Sequence, residues 1–293
     1  MIIGTLNGAN PAIQDVIPRP SGMVACSILI HIHSRSRLDP MTEQNDRYRA
    51  PALDKGLDIL ELLAAQPNGL TRAEIVKAME RSPSEIYRML ERLVVRDYVT
   101  RSQEGDRYSL SLKLFVLGHQ HPPIERLVAR ALPAMDTFAR AAEQSCHLGI
   151  YDRGNVVVVA QVNGPGSWGL SIRLGVRVSL VDTGSGHVLV AFQSAQRRAE
   201  MLAEHKALDG EVPMPETELQ AILGKVRDLG YWQGDSQQAF GVTDISTPIL
   251  GPGGDALAVL TCPFIRRIDR HVGADLDTTR ELLGQAARGL SLA

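Results

Sequence analysis

The chain has 293 residues, 31 Lys plus Arg against 33 Asp plus Glu and a formal net charge of −2. It is long enough for two domains with separate cores, and no global charge announces nucleic acid or an acidic membrane. Three cysteines, Cys26, Cys146 and Cys262, stand far apart without CxxC spacing, which argues against a disulfide framework or structural zinc and fits a reducing cytoplasm.

Residues 1–48 mix Pro, Gly, Ser and His with short apolar pieces and show no sustained period. The apolar run at 22–32 is about half a membrane span, holds His31, and has neither a basic leader nor a cleavage site. No membrane segment or export signal is expected. We expect instead a disordered or untranslated extension, with translation starting at Met41, just ahead of the patterned chain. Mass spectrometry of the protein from its native host tests that start, and a peptide covering residues 13–35 would refute it.

From Ala52 the spacing of Leu53, Leu57, Ile59, Leu60, Leu63 and Ala64 predicts an amphipathic helix that stops at QPNG. Thr71 caps a second helix, with Glu74 three residues on and Ile75, Val76 and Met79 inward. The third helix opens RSPSEIYRMLERLVVRDYV, residues 81–99. Ser82 is its cap, Pro83 its first helical residue, and Glu85 completes a capping box. Ile86, Met89, Leu90, Leu93 and Val94 form one apolar stripe, leaving Ser84, Tyr87, Arg88 and Arg92 on or beside the opposite face. Three short helices in about 45 residues make a helix-turn-helix layout. YVTR and RYSL, joined by SQEGD with Gly105 in the turn, then read as a wing, and LSLKLFVLGHQ as a short helix ended before Pro122 and Pro123.

Beyond Ile124 a helix through Pro133 covers about 125–143. The strands SCHLGIYD and NVVVVAQV follow, turning at Arg153, Gly154 and Asn155. A loop, a strand, two helices near 195–208 and 216–229, a second hairpin (VTDISTPIL and ALAVLTCPFI, turning at GPGG) and a last helix near 274–289 complete the chain, with TGSG read as a turn. Antiparallel hairpins flanked by helices give an α+β fold.

Between residues 81 and 101 five arginines face only Glu85, Glu91 and Asp97, a local basic patch on a neutral chain. Catalysis is disfavoured in the second half. GSG around Ser185 lacks the pattern of a nucleophile elbow, and Leu189 stands where a GxGxxG loop needs its last glycine. Cys146 and His147 point to opposite faces of a strand and make poor joint metal ligands. No cofactor or metal is expected.

Taken in order, ALDKGLDILELL, LTRAEIVKAMERSPSEIYRMLERLVVRDYV and YSLSLKLFVLG, then WGLSIRLGVRVSLVDTGSGHVLVAF and GVTDISTPILGPGGDALAVLTCPFI, resemble the IclR family of bacterial transcriptional regulators, from about Ala52 to Ala293. The resemblance implies an N-terminal winged helix-turn-helix DNA-binding domain at 49–111, a linker helix at 112–124 and a GAF- or profilin-like effector-binding and oligomerisation domain at 125–293. The third helix is then the recognition helix, with Ser84, Tyr87, Arg88 and Arg92 near bases and phosphates. Thr71, Arg81 and Ser82 join the DNA-facing set, and Arg101 and Arg107, flanking the wing, suit phosphate.

For the effector the resemblance points to Gly184, Ser185, Gly234, Asp235, Asp244 and Thr261, and Trp168, Leu170 and Ser246 are further candidates. Many members carry Cys where this chain has Asp244 and acidic residues where it has Gln237 and Gln238. Asp244, Ser246 and Pro248 share one strand face, and an acid on a strand is disfavoured without a use. The implied protein is a cytoplasmic, ligand-responsive regulator of a catabolic operon, a homodimer or dimer of dimers on double-stranded operator DNA, without membrane contact. Its effector is expected to be a hydroxylated organic or sugar acid, with an amine-bearing ligand left open by Asp244. The rival class is a small-molecule-binding protein or enzyme with a degenerate DNA-binding domain.

Overall fold

The structure, a computed structural model, describes residues 50–104, 106–166, 169–266 and 273–292. The expectations placed on residues 1–48, on Gly105 and on Trp168 lie outside the described residues.

The first elements are α1 (Pro51–Ala64), β1 (Leu70–Thr71), α2 (Arg72–Met79), α3 (Pro83–Val95), β2 (Val99–Arg101) and β3 (Arg107–Leu110). The strands pair antiparallel in the order β1-β3-β2, the small sheet of a winged helix. Ile59 and Leu63 of α1, Ile75 of α2, Ile86 and Leu90 of α3, Val99 and Tyr108 form one apolar core. The stripe expected to begin at Leu53 is buried only from Ile59 to Leu63, for Leu53, Leu57 and Ala64 are exposed.

The two expected capping boxes part company. At Thr71 the box is complete: the Glu74 N–H donates to Thr71 Oγ1 at 3.3 Å and the Thr71 N–H to Glu74 Oε2 at 2.7 Å. At Ser82 it does not form, because the Ser82 hydroxyl donates to Glu85 Oε2 at 3.0 Å instead of accepting an amide of the first turn. Helix α3 still begins at Pro83, whose fixed φ suits the first turn.

Helix α4 (Lys113–His119) is held to the winged helix by the Lys113 ammonium, which donates to the Arg96 carbonyl at 2.6 Å and lies 4.8 Å from the Tyr98 ring centroid. Helix α5 (Pro122–Ala142) starts at Pro122, not near Glu125 as expected, since prolines in a first turn have no intrahelical donor to lose.

The remaining elements are β4 (Cys146–Asp152), β5 (Asn155–Val162), β6 (Arg177–Ser179), α6 (Gly184–Ala191), α7 (Ala195–Glu204), α8 (Glu216–Leu229), β7 (Trp232–Asp235), β8 (Val242–Leu250), β9 (Ala256–Ile265) and α9 (Leu276–Leu290). The strands form a six-stranded antiparallel sheet in the order β6-β5-β4-β9-β8-β7. The β4–β5 turn has positive φ at both Arg153 (44°) and Gly154 (83°), as the twist of a tight hairpin requires.

Alternation along each strand sorts the two faces. Cys146, Leu148, Ile245, Ile249, Leu260 and Cys262 pack with Met135 and Phe138 of α5 and Leu283 and Ala287 of α9. Burial pushes the Cys146 thiol up to about 12 and Cys262 well above its usual value, so neither is a ready thiolate. The other face carries His147, Asp244, Ser246 and Thr261, beneath α6.

TGSG is therefore not a simple turn, as expected, but the start of α6. Thr183 is the cap, accepting from the Gly186 N–H at 3.1 Å, and every residue of the helix is buried. Gly186 is where α6 crosses the end of β6, for a Cβ there would lie 2.4 Å from the Leu180 carbonyl oxygen and 2.5 Å from its carbon. Backbone cannot swing aside as a side chain can. Gly186→Ala is expected to cost about 1–3 kcal/mol, read as a lower urea midpoint, and an unchanged midpoint would show that α6 has room to move.

Candidate functional site

Two surfaces bring the expected residues together. On α3, Ile86 and Leu90 are fully buried while Ser84, Tyr87, Arg88 and Arg92 are exposed, so the sequence stripe and the folded helix agree on which side is free. Arg81 and Ser82 are exposed just ahead of it.

The remaining DNA-side residues are more constrained. Thr71 spends its hydroxyl and amide on the α2 capping box. Arg107 donates to the Gly69 carbonyl at 2.9 Å and lies 3.9 Å from Glu74, which ties the wing to the start of α2 and leaves about half of its side chain exposed. Arg101 stacks on Tyr108 at 5.6 Å. Sequence reasoning missed Arg72, whose guanidinium lies 5.5 Å from the Tyr87 ring centroid and presents a further cation beside α3. Its place as first residue of α2, one step after the Thr71 cap, was the available signal.

The second site is a cavity of about 270 Å³ between α6, α8, β7 and β8. Of the expected effector residues, Gly184, Asp235 and Asp244 line it. Ser185, Ser246 and Thr261 lie behind that wall as a buried chain: Thr261 Oγ1 is 2.8 Å from both Ser185 Oγ and Ser246 Oγ. His147 Nε2 stands 3.5 Å from Ser185 Oγ, at the limit of a hydrogen bond. Gly234 is half-buried under the Trp232 ring, where a Cβ would meet that ring at 2.8 Å, and Leu170 is half-buried outside the lining.

Sequence reasoning missed Asp182, His187, Met214, Glu218 and Trp232, all of which line the cavity. Trp232 stands directly against Gly184, where a Cβ would lie 2.2 Å from its Cδ1, and its ring meets His187 edge-on with centroids 4.8 Å apart. Asp182 and His187 sit in the quoted VDTGSGH, but only a helix starting at Gly184 turns them inward. Burial raises the Asp244 carboxyl above its usual range, with the Ser236 hydroxyl pulling it back down. Burial lowers His187 against the raising pull of the Val181 carbonyl and Asp182, so its imidazole is neutral near pH 7. Among the described residues no group of three His, Cys, Asp or Glu is arranged to hold a metal.

A winged helix with an arginine-bearing exposed helix, followed by a sheet domain enclosing a polar cavity, defines a DNA-binding regulator with a ligand-binding domain. Residues 52–103 match the IclR helix-turn-helix domain and residues 124–292 match the bacterial transcriptional regulator IclR C-terminal domain. The chain belongs to the IclR family of bacterial transcriptional regulators. It is 28% identical to the HTH-type transcriptional regulator KdgR of Escherichia coli (strain K12) over 213 residues, 72% of this chain and 80% of that one. It is also 28% identical to the regulator BhcR of Paracoccus denitrificans (strain Pd 1222) over 245 residues, 82% and 86% of the two chains. The Thermotoga maritima IclR structure shares the fold with a TM-score of 0.66 at 23% identity, covering 81% of this chain and 96% of that one. An IclR homologue from Microbacterium hydrocarbonoxydans, complexed with 4-hydroxybenzoate, gives 0.66 at 21% identity, covering 82% and 97%. No helix among the described residues is long and apolar enough to cross a membrane.

Proposed function

We propose that this regulator acts in the cytoplasm as a homodimer or dimer of dimers, switching a catabolic operon when a small metabolite fills the cavity beneath α6. The reading divides the chain into a DNA-binding domain at 49–111, a linker helix at 112–124 and an effector domain at 125–293. Helix α3 enters the major groove, where Arg88 reads a base through its planar fork and Arg92, Ser84 and Tyr87 contact bases or backbone. Arg81, Ser82 and Arg101 meet phosphates, and Arg107 does so from a position fixed by the Gly69 carbonyl.

The observation that carries this reading is that α3 buries Ile86 and Leu90 and leaves Arg88 and Arg92 exposed on its outer side. A surface built on arginine–phosphate contacts loses affinity steeply with salt, log K falling by about 0.9 per contacted phosphate for each unit of log salt. Titration of operator fragments from the regulator's own gene region at three salt concentrations tests this. A flat salt response, with no preference over scrambled DNA, would favour a binding protein or enzyme whose DNA domain has degenerated.

For the effector, the 4-hydroxybenzoate held by the Microbacterium homologue supports a small organic molecule as occupant. A cavity of about 270 Å³ lies at the small end of ligand pockets, typically ~300–1,000 Å³, and fits a compact metabolite. A hydroxylated organic or sugar acid would find acceptors for its hydroxyl groups there. Its carboxylate is the harder part to place.

A further inference from the structure

The cavity beneath α6 is walled partly by apolar side chains, Val212, Pro213, Met214 and Ile222, and its charged groups are all acidic. Asp182, Glu218, Asp235 and Asp244 bring carboxylates to it, and no described lining residue is a lysine or arginine. Two of its acceptors are buried and unmet. Asp182 is 1% exposed. Its Oδ2 accepts from the Val212 N–H at 2.9 Å and Gln238 Nε2 at 3.1 Å, whereas Oδ1 has no hydrogen-bond partner among the described residues. His187 is 2% exposed, and its Nε2 lies 2.7 Å from the Val181 carbonyl oxygen, so that nitrogen carries the proton. Nδ1 is left as a lone-pair acceptor, again with no partner among the described residues.

An acceptor buried without a donor is costly, and carboxylates sharing a small cavity repel one another and any anion that enters. The first turn of α6 is a feature that attracts an anion, but Asp182 lies just before its cap and the Trp232 indole packs against Gly184. A neutral polyol would satisfy the lone pairs but not the charge. A cation satisfies both, and it gains further from an indole ring at its side.

Resting on the reading of this cavity as the effector site, we propose that the effector is a small organic cation. Its ammonium or guanidinium group lies between Asp182 and Asp244 beside Trp232, and a further N–H or O–H donates to His187 Nδ1.

The test uses the full-length protein in calorimetric titrations with agmatine, putrescine and choline as cationic probes, and with gluconate and galacturonate as anionic ones, at matched ionic strength. At least one cationic probe is expected to bind, and Asp244→Asn and Asp182→Asn are each expected to weaken it about tenfold or more. Should Asp182→Asn fail to fold, Asp244→Asn and the exposed Asp235→Asn carry the comparison. Binding of a sugar acid in preference to every amine would overturn the cation while leaving the effector site intact. Amine binding that ignores both substitutions would overturn the placement, and absence of binding by all three cations at millimolar concentration would overturn the class. Amine binding that is lost in the variants upholds the inference. If it also leaves operator affinity unchanged, the fault lies with the regulatory reading and not with the cavity.

Discussion

Replacing Arg88 by alanine is expected to remove the preference for operator over scrambled DNA while leaving the fold intact. Arg88 lies two residues from both Ile86 and Leu90, each 0% exposed, which on a helix of 3.6 residues per turn sets it on the far side from the core. Nothing buried depends on it. A bidentate arginine–base contact is worth about 1–3 kcal/mol of discrimination, or roughly 5- to 150-fold in the affinity ratio. The measurement is binding to both DNAs at one salt concentration, with the unfolding midpoint as control. An unchanged ratio would take Arg88 out of base reading. Arg101→Ala provides the contrast: removing a wing cation that meets phosphate should weaken both DNAs alike and make the salt dependence shallower.

Why helix α3 was legible in the sequence while α6 was not comes down to periodicity. Helix α3 is amphipathic, so Ile86, Met89, Leu90 and Leu93 announce it, and Pro83 marks its start. Helix α6 is buried on all sides, so GSGHVLVA has no polar face to set a period, and its two glycines suggest a turn. Both long hairpins of the second domain were legible as β-branched, apolar runs bounded by turn residues. The strand expected after the loop is β6, whereas the short edge strand β7 and the two-residue β1 lean on longer neighbours that pair with them. The Ser82 box failed because sequence supplies the pair Ser82 and Glu85 without saying which atom will donate.

The candidate site divides along the same line. Asp244 was readable from strand alternation, since Ile245 and Ile249 had to face the core and Asp244 the other side. Asp182 and His187 enter the cavity only through the geometry of a helix the sequence conceals. Trp232 lines the cavity wall without having been expected there.

The two histidines on this side of the sheet make the protein's stability depend on pH in a definite sense. His147 stands opposite Thr261 in the β4–β9 register, buried behind the Ser185–Thr261–Ser246 chain, and its Nδ1 has no partner among the described residues. Burial pushes its pKa down to about 4 from an ordinary 6.5, and burial lowers His187 in the same direction. Between those values the unfolded chain takes up protons that the folded chain refuses, so stability rises with pH across the window. The contribution is complete above 6.5 and is lost as pH falls toward 4, with about 3 kcal/mol at stake for His147. Asp244 works the other way, because its raised carboxyl is easier to bury protonated, and it offsets part of the loss at the acidic end. Urea unfolding at pH 7 and pH 4.5 should therefore show a smaller drop for His147→Gln than for the unmodified chain, and equal drops would remove His147 as the cause. Near neutral pH the consequence reaches the ligand: with both imidazoles uncharged, neither histidine balances the acidic residues around the cavity, and that charge is left for the effector to meet.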